Sequence, residues 1–108
     1  MIDANDATLG PMIRTGISLV AFSAQWCGPC KLLHPRVEAA AKKFPRVKSI
    51  SVDIDSAPKL VQAMGLKKVP TLIIFKTGIE VARREGLVSE AVLVDLLSTY
   101  ADASSSVS

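Results

Sequence analysis

Cysteine is scarce in this chain of 108 residues: there are two, Cys27 and Cys30, three positions apart. A loop that short removes little unfolded-chain entropy, which excludes a fold stapled by disulfides. Histidine is scarcer still. With His34 as the one further soft donor, the four ligands of an intrachain zinc site are not assembled, and no metal is expected. The apolar stretches Ile17 to Phe22 and Thr71 to Phe75 are strand-sized, well short of the ~20 residues of a membrane span. The N-terminus, Met1-Ile2-Asp3-Ala4-Asn5-Asp6, lacks a basic start and an apolar segment, so no secretory signal is expected. The expected compartment is cytoplasmic, where thiols rest reduced and a CxxC pair is catalytic or metal-binding.

Charge is not in large excess either. The formal net charge is +3, a weak basis for a nucleic-acid partner. Six basic residues do gather between Lys31 and Lys48 (with Arg36, Lys42, Lys43 and Arg46), but the cluster lacks a run of interleaved aromatics. It reads as a solvated helix face, with steering of acidic protein partners as the other use. What is present is an apolar content of 49% against 21% charged residues, which excludes disorder over most of the length. The length fits a single domain, residues 1–108, able to bury roughly two thirds of its unfolded surface.

The hydrophobic pattern gives an ordered series of elements. Residues 1–16 are ambiguous: Thr8 to Arg14 suggests a short helix, Gly10-Pro11 interrupts it, and a first strand has room only in shortened or irregular form. Ile17 to Phe22 is a strand covered on both faces. A helix from Cys27 to about Phe44 carries Cys30, Leu33, Val37, Ala40, Ala41 and Phe44 on one stripe, with Pro35 inside it. Val47 to Ile54 alternates as a strand. A short helix, Ala57 to Met64, has Ser56 as its expected cap and Gly65 as its stop. Thr71 to Lys76 is a buried strand, joined through a Thr77-Gly78 turn to a polar edge strand, Ile79 to Glu85. A helix capped by Ser89 runs to Tyr100, and residues 101–108 are expected to fray. The order implies an α/β domain with a central mixed β-sheet flanked by helices on both faces.

Trp26-Cys27-Gly28-Pro29-Cys30-Lys31 falls where the first clear strand ends and a helix begins. A helix N-terminus has unpaired N–H groups and about half a positive charge, which favours a thiolate over a thiol. A thiolate is the nucleophile, so lowering the pKa of Cys27 below the ~8.5 of a free cysteine makes it reactive at neutral pH. Cys30, one turn on, is placed to attack a mixed disulfide formed at Cys27. Gly28 permits close backbone approach, and Pro29 needs no N–H partner at a helix start.

The chain resembles the thioredoxin family from about residue 17 to 100. Residues 26–31 match its motif, with Phe22 and Ala24 upstream, Pro35 as its helix-kinking proline and Val52-Asp53-Ile54-Asp55 as its strand end. Val69-Pro70-Thr71 resembles its cis-proline segment, and Phe75-Lys76-Thr77-Gly78 with Gly86 its hairpin and groove glycine. The resemblance implies a thioredoxin fold and a protein-disulfide reductase: Cys27 the nucleophile, Cys30 the resolving cysteine, and a redox-active Cys27–Cys30 disulfide left after turnover. It also implies a cis Val69–Pro70 bond and an apolar substrate-binding surface from Trp26, Ile54, Val69, Pro70, Gly86 and Leu87. Disulfide-containing protein substrates, a thioredoxin reductase as electron donor and a monomeric state follow from the same likeness, with no cofactor and no nucleic acid or membrane.

The chain also departs from that pattern. The family's buried aspartate falls at Ala21 and its lysine at Ser51, Ser23 replaces an aromatic, and Glu85 stands where the groove is usually apolar. The implied consequence is altered proton handling at Cys30 and a narrower partner range. His34, four residues after Cys30, is a candidate substitute. The expectation is that it is a surface histidine and that water takes the proton. Asp53 and Asp55 read as solvated or capping carboxylates rather than a cation site. Alternative readings are a reductase with one dedicated partner and a redox-inert interaction module.

Overall fold

The near-continuous apolar stretch after Gly16 forms β2 (Ile17–Ser23), the middle strand of a five-stranded sheet. The computed structural model describes the backbone of residues 1–106 and the side chains of residues 1–101. Across the sheet the order is β1 (Ile2–Ala4), β3 (Val47–Asp53), β2, β4 (Thr71–Lys76) and β5 (Ile79–Glu85). β3 runs parallel to both β1 and β2, whereas β4 is antiparallel to β2 and β5. The sheet is therefore mixed, as the element order implies.

Side-chain alternation divides the core in two. Ile17, Leu19 and Ala21 face Leu33, Val37 and Ala40 of α2 (Gly28–Ala41) and Leu93 and Leu97 of α4 (Glu90–Ser106). Val20 and Phe22 point the other way, toward Leu9 and Ile13 of α1 (Leu9–Ile13) and Leu60 of α3 (Pro58–Ala63). Helices thus cover both faces. The continuous apolar run of β2 follows from this: neither face of the central strand meets water.

The ambiguous N-terminal segment holds both elements that residues 1–16 allow. β1 is three residues long and pairs Ile2 with Ile50 and Ala4 with Val52. Pro11 does not break α1, because it lies in the first turn, where backbone N–H groups lack helical partners anyway.

Three boundaries differ from expectation. α2 ends at Ala41 rather than near Phe44, and turn hydrogen bonds from Lys43 and Phe44 lead into Pro45, before which helical backbone is disfavoured. Ser56 does not cap α3. It belongs to a 3₁₀ turn, Ile54–Ser56, and the cap is supplied from the N-terminal segment: Asp6 accepts the N–H of Leu60 at 2.9 Å and of Lys59 at 3.2 Å. Ser89 does cap α4, accepting the Val92 N–H at 3.2 Å. That helix continues past Tyr100 to Ser106; residues 107 and 108, the end of the tail expected to fray, lie outside the described residues.

The β4–β5 turn places Thr77 and Gly78 at φ of 54° and 82°, the left-handed pair that a two-residue hairpin turn requires. Beyond it, Phe75 pairs with Glu80 and Ile74 with Ala82, so Val81 is an inserted bulge residue. The insertion shifts the alternation by one and brings Glu80 and Arg83 to the same face. There they form a two-pronged ion pair with both N···O distances 2.8 Å.

Candidate active site

Cys27 and Cys30 meet at the junction of β2 and α2, bonded to each other as a disulfide with Cα atoms 5.3 Å apart. Cys27 has extended backbone (φ −92°, ψ 112°) and is the N-cap of α2. Its sulfur accepts the Cys30 N–H at 3.2 Å, the position a serine or aspartate oxygen takes at other helix starts. No acidic residue stands in the first turn to offset the positive end of the helix. Once the disulfide is reduced, a thiolate at this cap position meets the positive end of the helix.

Pro29 occupies the first turn of the same helix, where its missing N–H costs nothing. A side chain at Gly28 would have open space around it among the described residues beyond its own helix turn. Both cysteines are about 95% buried, packed with Ala24 beneath Ile54 and Val69. The apolar cover comes from two segments distant in sequence, the end of β3 and the approach to β4.

The Val69–Pro70 peptide bond is cis. The Pro70 carbonyl accepts the N–H of Gly86 at 2.8 Å, which joins the two loops beside the disulfide. Gly86 has φ +84°, a conformation that favours glycine. Leu87 follows as an exposed apolar residue. Its neighbour Val88 is held from the other side, where the Arg36 guanidinium of α2 donates to the Val88 carbonyl at 3.0 Å. On the opposite rim Trp26 is 69% exposed, and its indole N–H donates to Asp55 at 2.9 Å. Asp53 accepts the Asp55 N–H at 2.9 Å, so the two aspartates act as cap and anchor.

Of the residues named from sequence, Ile54 and Val69 pack against the two cysteines, and Pro70 is hydrogen-bonded to Gly86. Ala21 and Ser51 face each other as register partners on β2 and β3. Ser51 and Cys30 line an open cavity of about 710 Å³, together with Asp53 and His34. His34 is exposed and pairs with Glu38 one turn on, Nε2 to Oε1 3.0 Å. The basic cluster is not wholly a solvated face: besides Arg36, Lys48 donates to the carbonyls of Met12 and Thr15, and Lys43 pairs with Glu90. Two roles carry no signal in sequence spacing, Asp55 as the acceptor for Trp26 and Arg36 as the clamp on Val88, because both are contacts between distant segments.

A strand–turn–helix junction with a CxxC disulfide as helix cap, next to a cis proline, defines a thiol-disulfide oxidoreductase of the thioredoxin fold. The thioredoxin family model matches residues 4–99. A thioredoxin of Chlamydia muridarum is 46% identical over 88 residues, covering 82% of this chain and 86% of the relative. A thioredoxin of Chlamydia trachomatis serovar D is 44% identical with the same coverage. Among solved structures, a mutant thioredoxin from Halobacterium salinarum superposes with a TM-score of 0.86 at 34% identity, covering 92% of this chain and 88% of that one. The Plasmodium falciparum thioredoxin gives 0.85 at 26% identity, covering 93% and 99%. The chain belongs to the thioredoxin family and is a protein-disulfide oxidoreductase.

Proposed function

We propose that the chain works as a reductant of protein disulfides, with Cys27 attacking and Cys30 resolving. The observation that carries this assignment is the cap geometry: Cys27 Sγ receives the Cys30 N–H at the positive end of α2, while Cys30 lies inside the helix. The Cys27 thiolate attacks one sulfur of a target R–S–S–R′, forming Cys27–S–S–R and expelling R′–S⁻, which takes a proton from water. Cys30 then gives up its proton and attacks Cys27 Sγ, expelling R–S⁻. Two electrons pass to the target and the Cys27–Cys30 disulfide remains. A thioredoxin reductase returns the electrons, in the cytoplasm, to a chain acting as a monomer.

The target docks as an extended segment along the loop at Val69–Pro70, against Trp26, Ile54 and Gly86. With Ala21 and Ser51 in place of the family's aspartate and lysine, the proton of Cys30 goes to water. The open cavity that Cys30 lines supports that route.

The test is a stoichiometric reaction of the reduced chain with a disulfide-bonded test protein without oxygen. Two target thiols should appear for each chain oxidised. A target that stays oxidised while the chain stays reduced contradicts the reading.

A further inference from the structure

Lys68 is the residue before Val69, and its ammonium lies beside Gly86, whose N–H is hydrogen-bonded to Pro70 on the same side of the proposed docking groove. A Cβ added at Gly86 would lie 3.7 Å from Lys68 Nζ. The backbone that carries it is held in place, because the Thr71 hydroxyl donates to the Lys68 carbonyl at 2.7 Å and Thr71 itself is fully buried. Among the described residues the Lys68 ammonium has neither a hydrogen-bond nor an ion-pair partner, in contrast to Lys43 and Lys48. Lys67 beside it is exposed and equally unpaired among the described residues. On the far rim the carboxylate of Asp55 is occupied by the indole of Trp26. Glu85, the exposed residue before Gly86, is the one acid beside it, so the Lys68–Gly86 end carries the two lysines Lys67 and Lys68 against one carboxylate.

We infer that Lys68 selects the target: the preferred substrate is an extended protein segment with an Asp or Glu side chain within about three residues of the attacked cysteine, the span one lysine covers along a chain rising about 3.3 Å per residue. The inference rests on the docking of targets along Val69–Pro70 given above. A carboxylate placed there meets an unpaired ammonium at the mouth of the groove, whereas a lysine in the same place meets a like charge.

The experiment uses two disulfide-bonded peptides that differ only in carrying Glu or Lys two residues from the reactive cysteine. The reduced chain is mixed with each at low salt, and the second-order rate of peptide reduction is measured. The wild type should reduce the Glu peptide about tenfold faster than the Lys peptide, as expected for exchanging attraction for repulsion at a solvent-exposed pair. Lys68→Glu should invert the preference, and added salt should shrink it in both proteins. Equal rates in the wild type, or a preference unchanged by Lys68→Glu, overturn the inference and leave the docking reading intact. If neither peptide forms a mixed disulfide with a Cys30→Ser chain, the docking reading fails and the inference falls with it.

Discussion

The indole N–H of Trp26 donates to Oδ2 of Asp55 at 2.9 Å, fastening an exposed ring beside the disulfide to a carboxylate 29 residues away in sequence. A ring this exposed has little packing to hold it, so the hydrogen bond is its main restraint. Asp55→Ala should lower the fluorescence anisotropy of Trp26, the chain's one tryptophan, and slow reduction of protein targets several-fold. Asp55→Asn, which keeps an acceptor, should restore most of both. Unchanged anisotropy in Asp55→Ala would show that the ring is held by something else.

The cap that Asp6 supplies to α3 ties the loop after β1 to a helix on the same face of the sheet as α1. Asp6→Ala should cost about 1 kcal/mol, or roughly 4–8 °C in Tm for a domain of this size. Thermal unfolding measures it directly, and Asp6→Asn should recover much of the loss. If Ser56→Ala were the costlier change, the cap would lie where the sequence pattern put it.

That contrast marks how far the sequence could be read. Strands β2 to β5, the helix after the disulfide, the hairpin and the two-faced sheet follow from alternation, apolar spacing and turn residues, all local properties, whereas the three-residue β1 is too short to show such a pattern. The cysteine pair and the residues around Pro70 were legible because a motif carries them. The cap of α3, the anchor of Trp26 and the clamp from Arg36 to Val88 join segments tens of residues apart, and no local pattern encodes such partners. The bulge at Val81 is similar: Glu80 and Arg83 would lie on opposite faces of a regular strand, and only pairing with β4 reveals that they meet.

The Glu80–Arg83 pair gives a pH-dependent term of known sign. The hydrogen bond from Arg83 lowers the Glu80 carboxyl from its ordinary 4.5, against a smaller opposing effect of burial. A lowered folded-state value means that the stabilisation is present above the unfolded value and is lost as pH falls through the folded one. Because both side chains are partly in solvent, Glu80→Gln should cost less than about 1 kcal/mol at pH 7. Denaturant unfolding from pH 7 down to about pH 3 should show the difference between wild type and variant shrinking toward zero. A gap that widens on acidification contradicts the assignment.

Ser18 is fully buried on β2, and its hydroxyl lacks a hydrogen-bond partner among the described residues. An unpaired buried hydroxyl is a net cost, so Ser18→Ala should raise unfolding free energy by about 1 kcal/mol. Chemical denaturation of the two proteins decides it, and a destabilised Ser18→Ala would mean the hydroxyl is satisfied.

The division of labour between the two cysteines is tested most directly by trapping. Cys30→Ser, reduced and mixed with a disulfide-bonded target, should accumulate a mixed disulfide whose mass and peptide map place the bond at Cys27, while Cys27→Ser accumulates none. A stable adduct through Cys30 in Cys27→Ser, with none in Cys30→Ser, would reverse the roles and contradict the account.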